Sequence, residues 1–317
     1  MKILIELPTW LGDTVMASPA VELILKQLHK SSIVFLGSQV SLDYFADIPI
    51  NDKTFLLLQK NNFVGMVKQI NNFGPYDYFF SFRGSHRTKI LKIFVNSKNK
   101  FQFSKNKTNG IHQVEKYLKF IELSLKVSSQ NKTYLKSYGD YKTKSKKKSN
   151  LPYIGINPGA EYGGAKRWSP KKYCEIISHY KNSHFFVIFG VKHESYLADE
   201  IASLCKKKGL NNYINLCGKT SLKELIKEMN KLDLFITGDS GPMHIAAALK
   251  LPTVAIFGPT SEFETSQWKN EKSIIISKKI KCRPCMRREC PLGHQRCMKD
   301  ISAEEVIQAI EELIVKI

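Results

Sequence analysis

Short apolar runs alternate with segments of helical period along the whole of this chain, and that alternation admits few folds. In the first half, runs near residues 2–7, 32–37, 54–58 and 77–82 read as strands. Between and after them, Thr14 to His29, Asn62 to Asn72 and His86 to Val95 carry the spacing of amphipathic helices. In the second half, strands near 153–157, 184–190, 213–217, 233–237 and 252–258 alternate with helices near 170–181, 193–208, 221–231 and 242–250. Such a β-α-β rhythm gives parallel sheets with helices on both faces. A chain of 317 residues, 43% of them hydrophobic, can enclose two ordinary cores. A polar, basic run at 138–152, with Lys142, Lys144, Lys146, Lys147 and Lys148, marks a join. The expectation is two doubly wound, Rossmann-like α/β domains, residues 1–150 and 151–317, facing each other across a cleft. Ser302 to Ile317 reads as a terminal amphipathic helix that either domain could receive.

No apolar run approaches the length that spans a bilayer. The opening Met1 to Leu7 is too short for a signal peptide and reads as a first strand, so a cytoplasmic chain is expected. The net charge of +21 implies an acidic partner: nucleic acid, an anionic membrane surface or a polyanionic substrate. Composition does not choose among them.

Ligands of doubly wound sheets bind beyond the carboxyl ends of the strands, and two glycine-bearing turns fall there. Asn157-Pro-Gly-Ala-Glu-Tyr-Gly-Gly-Ala-Lys-Arg-Trp168 follows one apolar run, with Lys166 and Arg167 adding positive charge. Thr237-Gly-Asp-Ser-Gly-Pro-Met-His244 follows another, and Pro242 suits the first turn of a helix. Together they suggest a nucleotide diphosphate held at helix N-termini. There, the amides of Ser240 and Gly241 meet phosphate, Asp239 binds sugar hydroxyls, and His244 either faces the ligand or anchors the turn. In Pro8-Thr-Trp-Leu-Gly-Asp13, Asp13 either caps the first helix or acts as a general base. No Asp-x-Asp pair occurs, so Lys166 would neutralise a leaving diphosphate where other enzymes use a divalent cation.

Four of the seven cysteines, Cys282, Cys285, Cys290 and Cys297, lie in one stretch with His294. Their spacing admits a zinc or iron–sulfur knuckle, or free and redox-labile thiols. Cys174, Cys205 and Cys217 are expected in the core.

These motifs resemble the heptosyltransferases that build the inner core of bacterial lipopolysaccharide. The likeness rests on Pro8 to Asp13, Pro158 to Gly163 with Ala165 to Trp168, Asp239 to Gly241 with Met243 and His244, and Ala246 to Leu249 followed by Phe257 to Thr260. The second stretch is most similar to the enzymes that add the second heptose. The resemblance implies a GT-B glycosyltransferase fold and an inverting transfer without cofactor or metal. It implies ADP-L-glycero-D-manno-heptose as donor and heptosyl-Kdo-lipid A as acceptor, reached by peripheral contact with the cytoplasmic face of the inner membrane, and no nucleic-acid partner. By position, Asp13 matches the catalytic base and Lys166 the lysine on donor phosphate. Asp239, Ser240, Gly241 and His244 match donor-binding positions, Glu194 a ribose contact and Thr220 a residue near adenine. Trp10, Arg83 and Lys116, with Arg87 and Lys89, are candidates for the anionic acceptor. The terminal helix would cross back to the first domain. The cysteine stretch is absent from many members. Alternatives are another heptosyltransferase of the family (type I or III, or one using a different sugar donor), a basic nucleic-acid-binding protein, and a non-catalytic nucleotide-sugar sensor.

Overall fold

The computed structural model describes residues 1–59, 61–104, 110–129, 134–138 and 150–315. Contacts divide the chain into two compact units, Met1–Gly139 and Asp140–Ile317. Most of the basic run expected to mark the join lies outside the described residues.

The first unit runs β1 (Lys2–Glu6), α1 (Leu11–Gln27), β2 (Ser32–Gly37), α2 (Gln39–Phe45), β3 (Lys53–Leu57), α3 (Phe63–Asn72), β4 (Tyr76–Ser81), α4 (His86–Phe94), β5 (Ser97–Gln102) and α5 (Gln113–Leu125). Its sheet is parallel, in the order β3-β2-β1-β4-β5. A strand covered on both faces needs no polar alternation, and central β1 reads Lys-Ile-Leu-Ile-Glu with Ile3, Leu4 and Ile5 fully buried. Pro19 interrupts α1 and leaves the carbonyl of Val15 without its helical donor. The Ser18 hydroxyl donates to that carbonyl at 2.7 Å instead, so the helix continues. One face of the sheet is closed by Met66 and Ile70 of α3 and Leu91 and Val95, at the end of α4, packed on Leu4, Val34 and Phe79.

The second unit runs β6 (Tyr153–Asn157), α6 (Pro170–His179), β7 (Phe185–Ile188), α7 (Ser195–Lys207), β8 (Tyr213–Asn215), α8 (Leu222–Met229), β9 (Leu234–Gly238), α9 (Gly241–Ala248), β10 (Thr253–Phe257), α10 (Glu262–Thr265), β11 (Ser273–Ser277), α11 (Arg296–Lys299) and α12 (Ala303–Val315). Its parallel sheet has the order β11-β10-β9-β6-β7-β8. Because β6 pairs with β9, Asn157 stands opposite Thr237, and the turns that follow these two strands emerge side by side. That register builds the site described below.

The terminal helix corrects one expectation. Val306, Ile307, Ile310 and Leu313 of α12 join the same core as Ile176 and Ile177 of α6, so the helix packs into the second unit. Its apolar stripe is complementary to α6 and to the edge of the sheet at β10 and β11. Six elements fall outside the expected pattern: α2, β5, α5, α10, β11 and α11. Of these, β5 reads Ser-Lys-Asn-Lys-Phe-Gln because it is an edge strand paired only with β4.

Candidate active site

In the first unit, Asp13 is the third residue of α1, two positions after Leu11. The helix cap is Trp10, so the structure decides against Asp13 as the N-cap. A carboxylate in the first turn is favoured in its ionised form by the helix dipole. Tyr117 of α5 donates its hydroxyl to Asp13 Oδ1 at 3.1 Å. Tyr117 is 3% exposed, and burial, together with the Asp13 charge, pushes its phenol well above the ordinary range. It therefore remains a donor, fixing one carboxylate oxygen. Trp10 stands exposed beside this turn.

Glu6, at the end of β1, was not singled out by sequence. It is 1% exposed and accepts from the hydroxyls of Ser81 (2.6 Å) and Thr88 (3.2 Å) and from Arg83 Nη1 (3.4 Å). Burial raises its pKa, opposed by these donors. Its signal was an acidic residue inside an otherwise apolar strand. Arg83 is thus tied to Glu6, and Lys116 is 7% exposed on α5, a buried position for a residue expected on an acceptor.

In the second unit, the two turns are stitched together. The Asn157 side chain donates to the Gly159 carbonyl (2.9 Å) and to Ser240 Oγ (3.3 Å), and Ser240 Oγ lies 3.0 Å from Thr237 Oγ1. Lys166 Nζ donates to Asp239 Oδ2 at 2.6 Å and to the Asp239 carbonyl at 3.1 Å. The two side chains are 10% and 6% exposed, a nearly buried ion pair. Asp239, expected on sugar hydroxyls, here holds the lysine. Lys166 also lies 4.6 Å from the centroid of the Tyr162 ring, and the Arg288 guanidinium is 5.4 Å from the same ring. Gly241 and Pro242 open α9, whose N-terminus carries the positive end of its dipole. His244 is buried, four residues into that helix, and Thr220 is half-buried ahead of α8.

Glu194 is 4% exposed and braces the first turn. Its Oε1 accepts from the Ala160 amide (3.0 Å) and from Arg167 Nη2 (2.7 Å). A Cβ on Gly159 would come within 2.3 Å of Glu194 Oε2, so any side chain there would push this carboxylate from its place.

The cysteine stretch turns out to support the lysine loop. The Ala165 amide donates to the Arg288 carbonyl (2.9 Å), the Gly164 amide to Glu289 Oε1 (3.1 Å), and Gln295 Nε2 to the Gly164 carbonyl (2.8 Å). Tyr162 donates its hydroxyl to the Met286 carbonyl at 2.7 Å. Sequence reasoning missed Glu289 and Gln295, and no local signal marks them. Cys282, Cys285, Cys290, Cys297 and His294 line one pocket together with Ala165. Among the described residues, no group of three or more histidine, cysteine or acidic side chains is arranged to share a metal ion. Cys174, Cys205 and Cys217 are buried, as expected.

A paired lysine, a helix N-terminus and glycine-lined turns can receive an anionic leaving group, and a carboxylate on a separate unit can accept a proton. The comparisons give this arrangement its class. The family model described as glycosyltransferase family 9 (heptosyltransferase) matches residues 79–295. A lipooligosaccharide heptosyltransferase 2 of Campylobacter jejuni is 39% identical over 323 residues, covering 99% of this chain and 98% of that protein. The structure of Escherichia coli ADP-heptose lps heptosyltransferase II superposes with a TM-score of 0.83 at 21% identity, covering 100% of this chain and 99% of that one. The E. coli heptosyltransferase WaaC with ADP gives 0.73 at 17% identity, covering 99% and 100%. The two parallel α/β units are those of a GT-B glycosyltransferase. The chain belongs to glycosyltransferase family 9, the heptosyltransferases.

Proposed function

We propose that this chain transfers L-glycero-D-manno-heptose from ADP-heptose to the first heptose of the lipopolysaccharide inner core, with inversion at the anomeric carbon. The observation that carries this reading is the 39% identity, over almost the full length of both chains, to a protein named lipooligosaccharide heptosyltransferase 2. The geometry of the two turns is what a nucleoside diphosphate donor needs.

In this mechanism Asp13 accepts the proton of an acceptor hydroxyl while that oxygen attacks the donor anomeric carbon. The bond from that carbon to the ADP oxygen breaks, and its electron pair passes to the β-phosphate. Lys166 and the N-terminus of α9 meet the charge that develops there. Asp239 holds the ammonium in place at 2.6 Å, so positioning needs no reorganisation as charge builds. Neutralisation by a lysine stands in for the divalent cation that paired carboxylates hold elsewhere. Tyr117 donates to Asp13 Oδ1 and so orients the carboxylate that takes the proton. Glu194 and Thr220 lie on the loops that would receive the ribose and adenine. If Glu194 serves the ribose, it does so from within its contacts to Ala160 and Arg167.

The test is transfer by the purified protein from ADP-heptose to two acceptors, Kdo-lipid A with and without one heptose, read by mass spectrometry. Addition of one heptosyl group only to the heptose-bearing acceptor is expected. Addition only to the heptose-free acceptor would assign the first transfer instead, and no addition to either would remove the proposal.

A further inference from the structure

Helix α4 carries an anomaly on its outer face. Thr88 and Leu91, with Val95 just past its end, point into the first unit's core. At 100° per residue, Ile90 and Ile93 lie on the opposite side, where a surface helix ordinarily carries polar residues. Ile90 is 48% exposed, Ile93 71% and Phe94 56%. The patch continues onto α3. The Phe63 and Phe94 rings meet edge to face with centroids 6.5 Å apart, the Asn71 side chain donates to the Phe94 carbonyl, and Val64 is 79% exposed. Scattered exposed apolar residues need no explanation, but a contiguous group on two adjoining helices marks an interaction surface.

Its rim is cationic. Lys89 and Lys92 flank the apolar stripe on one side of α4, and Arg87 lies on the other with its guanidinium 5.5 Å from the Phe63 ring. Lys100 Nζ donates to the Ile93 carbonyl at 3.1 Å. Neither helix contains an acidic residue. Between Phe63 and Phe103 the sequence holds one, Asp77, and it is paired with Lys98 at 2.9 Å. Apolar side chains that project from a helix lying flat on its own domain, ringed by lysine and arginine, fit an interface that is anionic at its surface and apolar just beneath.

We infer that the outer face of α3 and α4 docks onto an anionic lipid bilayer, with Ile90, Ile93, Phe94 and Val64 entering the headgroup boundary and Arg87, Lys89 and Lys92 meeting lipid phosphates. This deepens the proposed function and rests on its lipid-linked acceptor. The face would bring the enzyme to the leaflet that carries the acceptor and would leave the chemistry of transfer untouched. A long, exposed apolar stripe without charge would suit a second copy of the chain; the like charges around this one oppose self-association.

The experiment is flotation of the purified full-length protein with vesicles of phosphatidylethanolamine and phosphatidylglycerol, and with vesicles of phosphatidylcholine alone. Binding to the anionic vesicles that weakens with salt is expected, with little binding to the neutral ones. Ile93→Ser with Phe94→Ser should lower the anionic partition coefficient by about tenfold while the net charge is kept. Lys89→Glu with Lys92→Glu should lower it by more than about tenfold. All four positions are exposed or partly so, and a melt of each variant confirms folding. Wild-type partitioning by either double variant overturns the assignment. So does a dimer in sedimentation that Ile93→Ser with Phe94→Ser dissociates, since a second copy would then cover the face. Transfer to a deacylated, water-soluble acceptor separates this test from the proposed function. Ile93→Ser with Phe94→Ser should keep the wild-type rate there; lost vesicle binding with intact transfer concerns the surface alone, and absent transfer by the wild type concerns the function alone.

Discussion

Replacing Lys166 by Met tests whether the lysine and Asp239 form one unit. The pair lies at 2.6 Å with side chains 10% and 6% exposed. Removing one member of such a pair leaves the other charge buried without its partner, which costs about 3–5 kcal/mol. In a protein of this size about 1 kcal/mol moves the melting temperature by roughly 2–4 °C, so Lys166→Met should melt about 6–20 °C lower. Asp239→Leu should destabilise to a similar degree for the same reason. The double variant removes both charges, and apolar replacements of a buried pair are often neutral, so it should recover most of the loss. Activity should not recover, because the group proposed to meet the leaving phosphate is gone. The assays are urea titration and initial rates with ADP-heptose, run on all four proteins. Additive losses in the double variant, or a stability of Lys166→Met within about 0.5 kcal/mol of wild type, would refute the coupling.

Other consequences follow from the same geometry. Tyr117→Phe removes the donor that holds the ionised Asp13 carboxylate, so the acid limb of kcat/KM should move to higher pH; an unmoved limb would count against the contact. Burial raises the Glu6 pKa above its ordinary 4.5, so its contribution to stability is full below that value and is lost as pH rises through the folded pKa. Glu6→Gln should therefore gain stability relative to wild type over that rise in pH, and a pH-independent difference in denaturant titrations would contradict the burial argument. The Cys290 thiol is held below its usual pKa by the amide of Gln295, whereas burial pushes Cys205 up to about 12 and Cys217 up to about 11. Iodoacetamide with peptide mapping at mildly alkaline pH should label Cys290 well before Cys205 and Cys217, and the reverse order would refute the assignment.

The alternation of strands and helices was legible because buried parallel strands are continuous apolar runs, as in β1 and β6. Edges were not. The strand β5 satisfies one neighbour and otherwise meets water, so its lysines and asparagine carry no strand signal. The α5 pattern of Val114, Tyr117, Leu118 and Ile121 does carry a helical period, and its Tyr117 could have been placed on a buried face, but nothing local ties it to Asp13, 104 residues earlier. Both glycine-bearing turns were visible as motifs. Their coupling was not, because Lys166 and Asp239 meet only once β6 pairs with β9. The same holds for Glu289 and Gln295, which reach the lysine loop over more than a hundred residues. Sequence motifs located the turns; sheet register decided which side chains hold them.

In the proposed transfer a single carboxylate, Asp13, acts as base on a donor that other residues hold. Single-turnover transfer by Asp13→Ala, measured beside its dissociation constant for ADP-heptose, tests it most directly. Donor affinity close to wild type, with heptosyl transfer reduced by at least about a hundredfold, is the expected result. Transfer near the wild-type rate with donor binding intact would contradict it.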